Sequence, residues 1–131
     1  DVAAFFYLAG MIKQLTLRCS QQLCAMLADI LRDYANAAYP QGGSECSQSA
    51  RETLLTAADN IVHTWESASQ TAMVSKRLRV MMKSAISYYA QVLSQHEGVS
   101  SPAREAYLLS VLQGEVVDHD GYHAAELKDR A

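Results

Sequence analysis

Residues 44–97 read SECSQSARETLLTAADNIVHTWESASQTAMVSKRLRVMMKSAISYYAQVLSQHE, with no glycine and no proline. These two residues are the main local breakers of helices, so such a stretch offers few places to turn. Its apolar residues recur at three- and four-residue steps, the spacing of one helical face. The preceding segment, Asp1 to Tyr39, holds Gly10 and no proline. It carries the stripe Leu8, Ile12, Leu15, Cys19, Leu23, Met26, Ile30, Tyr34 and Ala37. This reading leaves no segment to the period-two alternation of a strand. It predicts an all-α, up-and-down bundle of about four helices with a long N-terminal helix.

The first predicted helix runs from Val2 to Tyr39, roughly 57 Å at the helical rise, and ends at Pro40, Gly42 and Gly43. Either the bundle is elongated or this helix kinks near Gly10. The second starts at Ser49-Ala50-Arg51-Glu52, whose spacing is that of a capping box. It buries Leu54, Ala57, Ala58, Ile61, Trp65 and Ala68. Ser67-Ala68-Ser69-Gln70-Thr71 is the one plausible turn before residue 97, and it reads as a tight helix–helix connection; one continuous helix is the alternative. The third helix spans Ala72 to Gln95, with Val74, Leu78, Met81, Ala85, Tyr88, Tyr89 and Val92 inward and Gly98 at its end. A fourth opens at Ser101-Pro102, with serine as N-cap and proline in the first turn, and closes at Gly114. It buries Ala106, Leu108, Leu109, Val111 and Leu112. Residues 1–114 form the bundle domain. Residues 115–131 form a polar C-terminal extension, in which Tyr122 to Arg130 makes a last short helix or lies along a groove.

Half of the 131 residues are apolar and 19% are charged, which argues for a packed core and against disorder. The net charge of −3 supplies no general attraction to nucleic acid. Val2 to Ile12 is too short to span a bilayer and has no basic n-region, so it reads as a buried helix start or a docking patch. The first residue is Asp1, as expected of an excised or processed chain. Cys19, Cys24 and Cys46 read as free thiols in a reducing, cytoplasmic compartment, with Cys19 and Cys24 facing different ways.

Four constellations bear on function. His119 and His123, flanked by Asp118, Asp120 and Glu126, have the residue types of a divalent-metal site. Gly121 lies between the histidines and nothing upstream completes the set, so no metal or other cofactor is expected. His63 lies two positions after Ile61 and points away from the buried stripe. In this it resembles histidine phosphotransfer domains, which present a phosphoryl acceptor on an exposed histidine midway along a bundle helix. That resemblance covers a few residues, and it implies phosphotransfer through His63. The family's lysine three places on and glycine four places on are Glu66 and Ser67 here, and a carboxylate repels an incoming phosphoryl group. The stripe Leu54-x-x-Ala57-Ala58-x-x-Ile61-Val62-x-x-Trp65-x-x-Ala68 resembles the vinculin-binding helices of talin-like rod domains, which leave one bundle to join another. The fourth constellation is a basic cluster, Lys76, Arg77, Arg79 and Lys83, in which positions 76, 79 and 83 share a helical face. It suits an acidic partner, phosphates or a membrane surface, unless Glu52, Asp59, Glu66, Asp118 and Asp120 neutralise it internally.

With no phosphate loop, paired-cysteine metal pattern or nucleophile–base pair, the expected function is non-catalytic: a protein–protein interaction or scaffolding module. The long first helix makes self-association into a homo-oligomer a natural extension. Lys76, Arg77, Arg79, Lys83, Tyr88 and Tyr89 are the expected partner-binding residues. Tyr88 and Tyr89 cannot both face one core, so one meets a neighbouring helix or the surface.

Overall fold

The computed structural model describes residues 13–131. The apolar stretch Val2 to Ile12, Gly10 and the start of the expected long helix lie outside them. The described chain is mostly helical, with five α-helices and a small three-stranded mixed sheet. Its elements are β1 (Gln14–Cys19), α1 (Gln21–Ala38), α2 (Glu45–Thr64), β2 (Thr71–Ser75), α3 (Arg79–Glu97), α4 (Pro102–Ser110), β3 (Val116–Val117) and α5 (His119–Arg130). One-turn 3-10 segments precede α3 and follow α4. Among the described residues no helix is long and apolar enough to cross a membrane.

The sheet corrects the expectation of an all-α chain. Gln14-Leu15-Thr16-Leu17-Arg18-Cys19 does alternate, with Leu15, Leu17 and Cys19 buried, and so does Thr71-Ala72-Met73-Val74-Ser75, with Ala72 and Val74 buried. Both strands thus present one apolar face to the helices. β1 is central: it pairs antiparallel with β2, in the register Leu15↔Val74 and Leu17↔Ala72, and parallel with β3, Cys19 opposite Val117. The outer edge of β2 is occupied by the end of α2, where Thr64 Oγ1 accepts from the Met73 amide at 2.8 Å.

The expected 38-residue helix is therefore, within the described residues, a strand followed by an 18-residue helix. Ser20 separates the two, with extended backbone and an Oγ that accepts from the Leu23 amide at 3.3 Å. The buried face of α1 centres on Leu23, Leu27, Leu31 and Ala35, and Ala37 is exposed. It packs on α2 through small residues, Ala28 and Ala35 against a face carrying Ala57 and Ala58. α2 begins earlier than the Ser49–Glu52 pattern implied. Ser44 is the N-cap, accepting from the Ser47 amide at 3.2 Å, and Ser49 lies inside the helix. The helix also ends sooner, at Thr64, so Ala68 falls in the turn instead of on the helical stripe.

The Ser67–Thr71 turn lies where expected, but it returns the chain to a strand instead of a helix. Glu66 donates to Thr71, Gln70 donates to Glu66, and Gln70 takes φ 52° to close the turn. α3 consequently starts at Arg79, and its buried face is Met82, Ala85, Ile86 and Ala90, with Val92 partly out. The helix ends at 98, 101–102 and 114 follow the sequence reading. Gly98 and Gly114 stand at positive φ, and Pro102 opens α4. The capping of α4 differs, because Ser101 Oγ turns away to donate to the Ala90 carbonyl at 2.7 Å. The exposed first-turn amides of Ala103 and Arg104 are instead taken by Asp129 of α5, at 2.7 and 3.1 Å.

Candidate functional site

The site begins with β1, which positions the start of α3. The Lys76 amide donates to the Lys13 carbonyl at 2.9 Å, one step beyond the β1–β2 pairing. Ser75 Oγ accepts from the Arg77 amide and initiates the 3-10 turn that delivers the chain into α3. Lys76, Arg79 and Lys83 then stand on one face, and all three line a cavity of about 590 Å3. Leu15 of β1 with Leu109 and Leu112 from the α4 region supply its apolar lining. Arg77 is exposed beside the groove but does not line it.

The electrostatics of this groove are one-sided. Among the described residues no aspartate or glutamate lines it, and Lys76, Arg79 and Lys83 make no ion pair. The acids expected to neutralise it are engaged elsewhere or absent from its lining: Asp59 pairs with Arg32 at 3.3 Å, and Asp118 caps α5. The first turn of α3 also carries no acidic residue. Helix N-termini bear a partial positive charge, so cations there disfavour the helix by about 0.3–1 kcal/mol each. Arg79 stands in that first turn, Lys76 in the 3-10 turn before it and Lys83 one turn further along; with no acid among the described residues paired to them, the three hold a positive potential over an apolar floor.

Tyr88 and Tyr89 are not part of this groove. They line a second cavity of about 330 Å3 between α1 and α3, together with Ile30, Asp33, Val92 and His96. Both rings are half-buried. Tyr88 packs on Tyr34, with ring centroids 5.7 Å apart, and Tyr34 meets Tyr39 edge-on. The Tyr89 hydroxyl finds the Tyr122 hydroxyl of α5 at 3.1 Å. Burial pushes the Tyr122 phenol above the ordinary tyrosine range, and the Tyr89 hydrogen bond adds to it. The six nominated residues thus divide between two cavities, with Arg77 in neither.

His63 is exposed, as its spacing from Ile61 predicted, but it lies in the last turn of α2, one residue before the helix ends, instead of midway along it. His119 and His123 do share a helix, because Gly121 is accommodated in the first turn of α5. A Cβ at Gly121 would lie 1.9 Å from the Tyr107 hydroxyl, which itself accepts from the Asp118 amide. His123 faces Glu126 at 3.4 Å. Among the described residues no group of three or more His, Cys, Asp or Glu side chains is placed to hold a metal. Cys19 and Cys24 are buried together and free, while Cys46 is exposed. Cys19 Sγ donates to the Leu17 carbonyl at 3.8 Å and Cys24 Sγ to the Ile61 carbonyl at 3.4 Å, and the Cys24 neighbour together with burial pushes the Cys19 thiol up.

The sequence reading missed Arg104, which is 2% exposed at the junction of α3, α4 and α5. Its Nε donates to Asp129 at 2.8 Å and its Nη1 to Glu97 at 2.6 Å. Arg130 joins the same Glu97. The available signal was position, since Arg104 stands four and seven residues before the buried Leu108 and Val111. Asp33 and His96 were also missed. They are ordinary surface residues in the sequence and become neighbours only when α1 and α3 meet.

Comparison with protein-family models, curated proteins and solved structures finds no match to this chain.

Proposed function

We propose that this chain is a non-catalytic protein–protein interaction module that holds an acidic, partly apolar segment of its partner in the Lys76–Arg79–Lys83 groove. The observation that carries the reading is the unneutralised cation triad over Leu15, Leu109 and Leu112. The triad provides charge complementarity and the leucines provide an apolar anchor, the two ingredients of a specific but salt-sensitive interface. Arg79 can grip a carboxylate with two parallel donors, whereas the lysines act as mobile point charges. The isolated basic face suits a modular binding role, and a second copy of the chain, through its own acidic surface, is one partner of this chemistry.

Fluorescence anisotropy with a labelled Glu- and Leu-rich peptide tests the reading. Binding is expected to weaken as salt rises past ~0.1 M, where charges are screened beyond about 10 Å. Lys76→Glu with Arg79→Glu is expected to weaken it by about tenfold or more, ~1.4 kcal/mol. Lys128→Glu, on the exposed face of α5, is the control and leaves binding unchanged. Equal loss in the control, or preference for a Lys-rich peptide, defeats the proposal. Tighter binding to phosphatidylserine vesicles than to the peptide replaces it with membrane-surface recognition.

A further inference from the structure

The cavity between α1 and α3 is chemically unlike the basic groove. At about 330 Å3 it lies at the lower end of the ~300–1,000 Å3 range of small-molecule pockets. Its lining is aromatic and aliphatic, from Tyr88, Tyr89, Val92 and Ile30. Among the described residues Asp33 is the one carboxylate on it, with His96 as the other ionisable group besides the two phenols. Asp33 is exposed and, among the described residues, makes no ion pair; its neighbour Arg32 is committed to Asp29 and Asp59. Tyr89 is fixed by Tyr122 and Tyr88 by Tyr34, so both rings are held in place before any ligand arrives.

A largely apolar cleft lined by two packed tyrosines and one carboxylate free of ion pairs among the described residues has the features that select an organic cation. The body of such a ligand is desolvated against Val92 and Ile30. Its ammonium is drawn to the negative faces of the tyrosines and to the Asp33 carboxylate. We propose that this cavity binds a small organic ammonium: a free amine carried on an aromatic or branched aliphatic body. This site stands independently of the proposal for the basic groove, with which it shares no lining residue.

Phenethylamine is a suitable probe, with hydrocinnamate as its counterpart of similar body and opposite charge. Two-dimensional NMR titration of the full chain is expected to show saturable shifts at Asp33, Tyr88, Tyr89, Val92 and His96 with the amine and none with the acid. Asp33→Asn is expected to weaken amine binding about fivefold or more with an unchanged thermal midpoint, because the Asp33 side chain is exposed and makes no ion pair among the described residues. Tyr88→Leu, which keeps apolar bulk but removes the ring face, is expected to weaken the amine as well. The proposal is overturned if the acid binds as well as the amine, if neither perturbs these residues, or if Asp33→Asn leaves the affinity intact.

Discussion

Asp129→Ala is expected to be among the most damaging single substitutions in the described chain, although Asp129 lies in the last turn of a polar helix. The carboxylate is 1% exposed and accepts three hydrogen bonds: from Arg104 Nε at 2.8 Å, the Ala103 amide at 2.7 Å and the Arg104 amide at 3.1 Å. Its removal leaves the Arg104 guanidinium buried with Glu97 at 2.6 Å and Glu126 at 3.7 Å as its remaining acids, and reopens the first turn of α4. Breaking one side of a buried ion pair costs about 3–5 kcal/mol, and losing a helix cap costs about 1 kcal/mol. Glu97 retains part of the Arg104 interaction, which places the expected loss near ~3 kcal/mol in total. With a urea slope of about 2 kcal/mol/M, the unfolding midpoint falls by ~1.5 M. Asp129→Asn keeps an acceptor but not the charge, and should fall between wild type and alanine. The pH dependence has a defined sign. Burial alone would raise the Asp129 carboxyl, but the Arg104 hydrogen bond and the two amides outweigh it and hold it below the ordinary aspartate value. Its contribution is therefore complete above about pH 4 and is lost as pH falls through the depressed folded value. Asp129→Asn should flatten that part of the profile. A midpoint shift for Asp129→Ala below ~0.3 M urea, comparable with an exposed-residue change, would refute the description of this cluster as a buried clamp.

Two further outcomes follow from the same packing. Gly121→Ala places a methyl 1.9 Å from the Tyr107 hydroxyl and should lower stability by about 1–3 kcal/mol, read as a drop in thermal midpoint; an unchanged midpoint would show that Tyr107 does not occupy that space. Among the thiols, Cys46 alone should react rapidly with a thiol-specific reagent in the native protein, with Cys19 and Cys24 reacting only at the rate of unfolding; rapid labelling of all three would contradict their burial.

The helix termini marked by glycine or proline, at 98, 102 and 114, are the most legible feature of the sequence because their signals are local. Gly98 and Gly114 act through the positive φ open to glycine and Pro102 through its fixed φ, and no distant partner is needed to read these three. The strands were misread for a specific reason. A four-residue step satisfies both the helical period and the strand period, so Leu15 and Cys19 fit a helical stripe while also lying on one face of β1. Leu17, between them, is also buried and breaks the tie. The same ambiguity affects Val74, which stands four residues before the buried Leu78 and so fits a helical stripe, while Ala72, two residues before it and also buried, marks the strand.

The sequence by itself determined the mostly helical character, the punctuation of the later helices, and the shared face of Lys76, Arg79 and Lys83, since all of these depend on residues within a few positions of one another. Tertiary structure decided the rest. β1 is a strand because β2, more than fifty residues away, supplies Val74 and Ala72 opposite Leu15 and Leu17, and a strand is stabilised only by a neighbour. The basic face becomes a groove because β1 and the end of α4 wall it. Arg104 is buried because α5 returns with Asp129, and Asp33 meets the tyrosines because α1 lies along α3. Each of these depends on long-range pairing, and periodicity within one segment carries no information about which distant segment completes it.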